Sequence, residues 1–87
     1  MNELEIHRAV KDFILREFLP NETADNLKDS TELIATGIID SIATLRLVAF
    51  LEVAFAIRIA PEEAILENLH TIEAIATMVH RKQKADR

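Results

Sequence analysis

Residues 37–55 read GIIDSIATLRLVAFLEVAF, and most positions from residue 42 onward are apolar. Asp40 is a good helix N-cap, so a helix is expected to start at the next residue, Ser41. Apolar residues then recur at helical spacing as far as Phe55. A helix this apolar either packs centrally in a bundle or carries a second stripe for a partner. Its buried side is expected to carry Leu45, Val48 and Leu51.

An earlier helix is predicted from about residue 3 to residue 19, where apolar residues also recur at helical spacing. Asn2 is its expected N-cap, and Pro20 ends it because the residue before a proline avoids helical angles. Its inner row is Ile6, Val10, Phe13, Ile14 and Phe18. Residues 21–37 follow as a long polar loop. The expected anchors of that loop to the core are Leu27, Leu33 and Ile34.

Two further helices are predicted after the central one, which is expected to stop near residues 56–58. Ile57 and Ile59 are expected to plug the core from an extended linker. Pro61 can open a short third helix with Glu62 and Glu63 in its first turn, where acids suit the helix dipole. Thr71 then caps a fourth helix. The inner row of that helix is Ile72, Ile75, Ala76 and Val79.

The pattern therefore predicts an all-α fold, a four-helix bundle. Three of its helices are longer, the third is short, and a long loop joins the first to the second. One glycine and two prolines are too few for the tight turns of an all-β fold. Eighty-seven residues make a single domain, taken as residues 1–87.

The composition excludes several classes of function. The absence of cysteine rules out disulfides, thiolate metal sites and a cysteine nucleophile. The net charge is −5, and the short basic tail at residues 81–87 leaves −8 on the remaining residues. That sign is wrong for binding nucleic acid, and it disfavours a helix-turn-helix DNA binder. We interpret the basic tail as a solvated helix end, where cations suit the C-terminal dipole.

No stretch of the sequence predicts a membrane span or an active site. Residues 42–59 are interrupted by Arg46, Glu52 and Arg58, which favours a core helix over a membrane span. The polar N-terminus is unlike a signal peptide, so a cytoplasmic location is expected. The three histidines lie in separate elements without metal-ligand spacing, and one glycine cannot build a phosphate-binding loop. We expect no metal site and no catalytic residues, and hence a chain that is not an enzyme.

The helical pattern over roughly residues 3–80, together with Asp40-Ser41-Ile42, resembles the acyl and peptidyl carrier proteins. The resemblance implies that Ser41 receives a covalent 4′-phosphopantetheine arm from coenzyme A. The arm would hold an acyl or aminoacyl group as a thioester and present it to partner enzymes. Asp40 is then both the helix cap and a group near the Mg²⁺ of the phosphopantetheinyl transferase. Other implied partners are a loading ligase and a downstream transferase or synthase.

Departures from the fatty-acid carriers indicate which kind of carrier this is. Those carriers usually have acidic residues on the second helix where this chain has Ala43 and Arg46. Their enzymes typically dock through basic patches, which Arg46 opposes. The Gly-x-x-Asp-Ser stretch at residues 37–41 looks like stand-alone carriers such as the D-alanyl carrier. The Asn-Leu-x-Thr-Ile stretch from residue 68 is similar to carriers of secondary-metabolite and aminoacyl pathways, which favours a specialised pathway.

One side of the central helix is the expected partner-binding face. It comprises Ile42, Ala43, Arg46, Phe50 and Val53. Positions 43, 46, 50 and 53 follow one another along a single side by three- and four-residue steps, and that side begins beside Ser41. The carrier is expected to be a monomer. The alternative is a non-catalytic helical protein-interaction module without a prosthetic group, for which the surplus of apolar residues on this helix is the best support.

Overall fold

The computed structural model describes residues 2–85. Its four α-helices are α1 (Glu3–Phe18), α2 (Ser41–Phe55), α3 (Leu66–Leu69) and α4 (Ile72–Ala85). Single 3-10 turns lie at Ala24–Asn26 and Pro61–Glu63. No β-strand occurs among residues 2–85. The predicted all-α, four-helix bundle is therefore confirmed, with its short third helix and its long first loop.

Side-chain caps begin the three longer helices. Asn2 forms a capping box with Glu5, whose backbone N–H donates to the Asn2 side chain over 2.9 Å. The Asp40 carboxylate accepts from the backbone N–H of Ala43 over 2.8 Å at the start of α2. The Thr71 hydroxyl caps α4 in the same way. All three caps are as predicted, because each side chain satisfies an N–H that has no partner within the helix.

α1 and α4 lie against each other and supply much of the core. The predicted inner rows are buried, except that Phe18 at the end of α1 is only half-buried. Met78 on α4 is also buried and was not predicted. The loop anchors Leu27 and Leu33 are buried, and Ile34 packs on the core from a half-buried position. These contacts attach the long loop to the bundle.

The predicted buried side of α2 is wrong. Leu45 is 72% exposed and Val48 is half-buried, while Leu51 alone of the three expected residues is fully buried. The buried row is Ala43, Leu47, Leu51 and Phe55. Because α2 is apolar almost all round, its sequence has no polar stripe that marks the outer side. The fit of α2 against its neighbours selects the buried row instead.

The region after α2 differs from prediction in one respect. α2 ends at Phe55, and Ile57 and Ile59 are buried as the expected plugs. Pro61, however, opens only a 3-10 turn, and the short third helix begins five residues later at Leu66. α4 continues to Ala85 through the first residues of the basic tail. The last part of that tail, residues 86–87, lies outside the described residues.

Candidate functional site

Ser41 is the first residue of α2 and is exposed. The loop before it is held in place, because the N–H of the buried Ile39 donates to the carbonyl of Leu33 over 2.9 Å. Gly37 reverses the chain just upstream with φ at 81°, in the left-handed region that glycine adopts freely. The hydroxyl of Ser41 therefore stands at a well-supported helix start and is accessible from solvent.

Asp40 does two things at this helix start. One carboxylate oxygen accepts the N–H of Ala43, and its carbonyl accepts the Thr44 hydroxyl over 2.8 Å. Its side chain is nevertheless exposed. The first turn of a helix presents N–H groups and a partial positive charge, which together suit a phosphate. The first turn of α2 thus fits a phosphodiester on Ser41, and Asp40 lies next to that serine.

The long loop is tied to the helices by polar contacts near residues 29–33. The N–H of Leu33 donates to the carbonyl of His70 over 2.7 Å, and the N–H of Glu73 donates to that of Asp29. Side chains add to this, since His7 meets Asp29 at 3.0 Å. These bonds connect the loop to α1 and to the start of α4. They explain how a polar loop of seventeen residues, 21–37, can still hold Ser41 in a defined position.

The three histidines serve as contacts between elements. His7 pairs with Asp29, His70 lies 3.2 Å from Glu32, and His80 lies 3.5 Å from a Glu3 oxygen. The three sites are separate. No group of three potential metal-ligating side chains occurs among the described residues.

The outer side of α2 carries an apolar row that starts next to Ser41. We call it the α2 stripe, and it consists of Ile42, Leu45, Ala49 and Val53. Ile42 and Leu45 are each 72% exposed and Val53 is 85% exposed, which is unusual for side chains of this size. Successive members are three or four residues apart, so they lie on one side of the helix. The stripe leads away from Ser41 along α2.

Two of the expected partner-face residues are placed differently. Ala43 is buried in the core row. Phe50 is half-buried, and its ring stacks on that of Phe13 with 4.1 Å between centroids. Ile42 and Val53 are exposed as expected, and Leu45 and Ala49, which were not predicted to belong to this face, are exposed as well. No signal in a helix apolar all round could have separated these two residues from the core row.

Arg46 is not a free charge. Its guanidinium pairs with the Glu17 carboxylate of α1 and lies 5.3 Å from the centre of the Phe18 ring. Glu52, the other charged residue of α2, accepts the N–H of Ile59 over 2.9 Å. Both charged side chains of this helix are therefore engaged within the chain. The α2 stripe is therefore apolar, and the charged side chains within α2 are paired inside the chain.

The sequence comparison settles the family. A family model described as the phosphopantetheine attachment site matches residues 13–79. The chain belongs to this family. Its members attach 4′-phosphopantetheine covalently and are carriers that are not themselves catalytic. They work with a phosphopantetheinyl transferase and with synthetic enzymes.

This result favours the carrier over the interaction module without a prosthetic group. The matched residues run from α1 to α4 and contain the whole of α2 with Ser41 at its start.

A comparison with curated proteins finds no match for this carrier. Among residues 2–85, no helix is both long enough and apolar enough to cross a membrane.

Proposed function

We propose that this carrier bears its arm on Ser41 and serves a specialised acyl or aminoacyl pathway. The observation that carries the proposal is the exposed Ser41 hydroxyl at the capped start of α2, within the residues that match the family. When bound, the arm supplies a thiol that holds cargo as a thioester. The phosphate of the arm suits the helix start, where N–H groups and the dipole favour negative charge.

Residues of the chain contribute position rather than catalysis to the loading step. The Ser41 oxygen forms a bond to phosphorus and loses its proton, while adenosine 3′,5′-bisphosphate leaves coenzyme A. The transferase supplies the metal and the proton acceptor. The Asp40 carboxylate caps the first turn of α2 by accepting the N–H of Ala43, and because it is exposed it can also approach the metal of the transferase. Ser41 therefore needs no general base within its own chain.

The apolar face of α2 supports a specialised pathway. The chain has Ala43 and Arg46 where carriers of fatty-acid synthesis usually have acids, and Arg46 is paired with Glu17. A basic enzyme surface thus has little on this helix to attract it. The exposed α2 stripe instead fits an enzyme whose docking surface is apolar, in which shape and burial set the affinity. Such a partner distinguishes this carrier from a housekeeping one.

The attachment site is tested by measuring intact mass. The purified chain is incubated with coenzyme A, Mg²⁺ and a broad-specificity phosphopantetheinyl transferase. We expect a gain of one phosphopantetheine, and we expect Ser41→Ala to abolish it because the accepting hydroxyl is gone. Ser30→Ala is the matched control, since Ser30 is the other serine of the chain and is exposed in the long loop. That control should load like the parent chain.

A Ser41→Ala chain that still gains mass contradicts the assignment of the site. Far-UV circular dichroism of each variant separates loss of the hydroxyl from loss of the fold. Ser41 is exposed, so Ser41→Ala should retain the helicity of the parent.

A further inference from the structure

The part of the long loop that leads into α2 is closed on itself by hydrogen bonds. We call residues 30–40 the site segment, because it ends where the attachment serine begins α2. Within it, the Thr36 hydroxyl donates to the carbonyl of Glu32, and the N–H of Ile39 donates to the carbonyl of Leu33 over 2.9 Å. The site segment is therefore one hydrogen-bonded unit, and its placement sets the placement of the serine that follows.

The site segment is hydrogen-bonded to the rest of the bundle through His70. The backbone carbonyl of His70 accepts the N–H of Leu33 over 2.7 Å. Its ring Nδ1 lies 3.2 and 3.3 Å from the two carboxylate oxygens of Glu32. In the part of the chain that the structure describes, the other hydrogen bonds of the site segment go only to its own residues, to the adjacent Lys28 and to the first turn of α2. One residue thus carries its polar attachment.

His70 is itself held by the two helices that meet at this point. It is the C-cap of α3, and its N–H donates to the carbonyl of Leu66 over 2.9 Å. The next residue, Thr71, is buried and caps α4 through its hydroxyl. Because helices on both sides fix its backbone, His70 provides a fixed point for the site segment.

The contact between the side chains of Glu32 and His70 is moderate in strength. A carboxylate can only accept hydrogen bonds, so the proton of this contact belongs to Nδ1 of His70. The His70 side chain is 35% exposed and that of Glu32 is 51% exposed. Exposed pairs of this kind shift an equilibrium by up to about five-fold. Removal of the pair should therefore disturb the placement of the site segment and leave the fold intact.

Apolar contacts and hydrogen bonds hold the site segment in different ways. Leu33 and Ile39 are at most 1% exposed and attach the segment to the core. Apolar burial is non-directional, whereas a hydrogen bond has a preferred angle. The buried side chains therefore set the depth of the segment, and the bonds to His70 set its orientation.

We infer that His70 is a positioning residue for the loading of Ser41. The inference rests on the proposed attachment at Ser41. His70 acts through Glu32 and Leu33 rather than on the reacting atoms, and Leu33 completes the connection because its carbonyl accepts the N–H of Ile39. Loading requires the Ser41 oxygen to meet the phosphorus of coenzyme A in line, and a misplacement of about 1 Å can slow such a step by about 100-fold.

The first measurement is amide hydrogen exchange in the unloaded carrier, followed by NMR. We expect His70→Ala to speed exchange at Leu33 and Ile39 by about two- to five-fold, because the segment that they fasten opens more often. His7→Ala is the matched control. His7 ties the same loop to α1 through Asp29 at 3.0 Å, but Asp29 lies outside the site segment. This control should leave exchange at Leu33 and Ile39 unchanged.

The second measurement is the single-turnover loading rate with the broad-specificity transferase in excess. At saturating transferase, His70→Ala should load about two- to five-fold more slowly than the parent. The half-saturating transferase concentration should not change, since α2 still presents the same surface. A variant that is merely less stable behaves in the opposite way, because a smaller folded fraction raises the half-saturating concentration and leaves the maximal rate unchanged. His7→Ala should load like the parent.

A conservative variant separates positioning from proton transfer. His70→Asn should restore the maximal loading rate, because its amide nitrogen is bonded to Cγ as Nδ1 is and can donate to Glu32. An amide does not take up a proton at this pH, so recovery excludes a role for His70 as a base.

Glu32→Ala removes the same contact from the exposed loop and keeps the test valid if His70→Ala does not fold. It should slow loading like His70→Ala, and the double variant should be no slower than either single variant, since both remove one contact. A double variant whose losses multiply contradicts the shared contact. A loading rate that His70→Asn fails to restore, or that His7→Ala lowers equally, overturns the inference.

Two outcomes separate this inference from the proposed function. A parent chain that gains no mass overturns the attachment at Ser41 and this inference with it. A parent chain that loads, together with His70→Ala and Glu32→Ala variants that load at the parent rate and show unchanged exchange at Ile39, overturns the positioning role alone.

Discussion

At the scale of single residues, one residue with positive φ lies before α2 and another lies after it. Gly37 has φ of 81° before α2, and Ala56 has φ of 52° directly after it. A Cβ at Gly37 would meet no atom within 4 Å, so its backbone angle and not crowding favours glycine there. Ala56 has the same kind of angle with a Cβ, which costs about 1–2 kcal/mol. Glycine is the usual residue at such a helix end.

Ala56→Gly should therefore stabilise the carrier. Glycine removes the left-handed backbone strain of the folded chain but raises the conformational entropy of the unfolded chain, which opposes folding. Because the first effect is larger, we expect a net gain of about 0.5–1 kcal/mol in the free energy of unfolding. Ala56 is exposed, so no core contact is lost. Thermal or urea unfolding measures the change. Ala54→Gly is the control, because Ala54 is exposed within α2 and glycine there should cost about 1 kcal/mol. A loss of stability in Ala56→Gly contradicts the strain argument.

Asp40 caps α2, and the proposed function gives the same residue a chemical role in loading. Asp40→Ala removes the bond to the Ala43 N–H and should cost about 1 kcal/mol of stability. It should also slow loading by the transferase. Asp40→Asn separates the two effects, since asparagine caps a helix about as well as aspartate. We expect it to restore the unfolding free energy but not the loading rate. Full recovery of both shows that the cap alone accounts for the effect.

At the scale of elements, carboxylates hold the segment between α2 and α4 in place. Glu52 accepts the N–H of Ile59, and Glu63 accepts the N–H of Ala60 over 2.9 Å. Glu63 also receives the Lys82 ammonium of α4 at 2.8 Å. The hydrogen bond from Lys82, with that from Ala60, lowers the pKa of Glu63 below the ordinary value of a glutamate. Lys82 of the basic tail thus binds the 3-10 turn to the last helix. This contact corrects the interpretation of the tail as a solvated helix end.

This contact makes a prediction about pH. Because the pKa of Glu63 is lowered on folding, its ionised form stabilises the fold above the unfolded value and that stabilisation is lost as the pH falls through the folded value. Glu63→Gln can keep the Ala60 bond but loses the charge. The difference in unfolding free energy between parent and variant should be constant near neutral pH and shrink as the pH falls below the ordinary pKa of a glutamate toward the lowered pKa of Glu63.

The adjacent Glu62→Gln serves as the control for this series. Glu62 is exposed in the same turn, and its removal tests the general effect of one less acid. Chemical denaturation at each pH gives the free energies. A Glu63→Gln difference that grows toward low pH has the opposite sign and contradicts the assignment.

At the scale of the whole molecule, the α2 stripe is a narrow apolar row on an acidic bundle. The chain carries a net charge of −5, and like charge opposes self-association. The four side chains of the α2 stripe cover only part of the roughly 800 Å² per partner that a stable interface buries. The surface therefore suits transient contact with an enzyme better than a permanent dimer.

We accordingly predict a monomer. Sedimentation velocity across a wide range of protein concentration should give one species with the mass of a single chain. Val53→Glu should leave that mass unchanged, because the stripe is not needed for assembly. A concentration-dependent increase in mass that Val53→Glu abolishes contradicts the prediction and points to pairing through α2.

Several features of this carrier follow from the sequence alone. Asn2, Asp40 and Thr71 cap the three longer helices as predicted, because a capping side chain acts on N–H groups two or three residues away. The inner rows of α1 and α4 were also predictable, since polar residues cover their outer sides. The helical pattern over roughly residues 3–80, together with Asp40-Ser41-Ile42, carried the resemblance to carrier proteins, which the family match confirms. All of these signals can be read from residue types and their spacing along the chain.

Only the tertiary structure decided the orientation of α2. Its apolar residues surround the helix, so burial of the row through Leu47 and exposure of the row through Leu45 depend on how α1, α4 and the loops pack around it. The same packing joined Arg46 to Glu17, residues 29 positions apart. Local patterns reach a few residues along a chain, whereas the choice of a buried face is a property of all the surfaces that meet there.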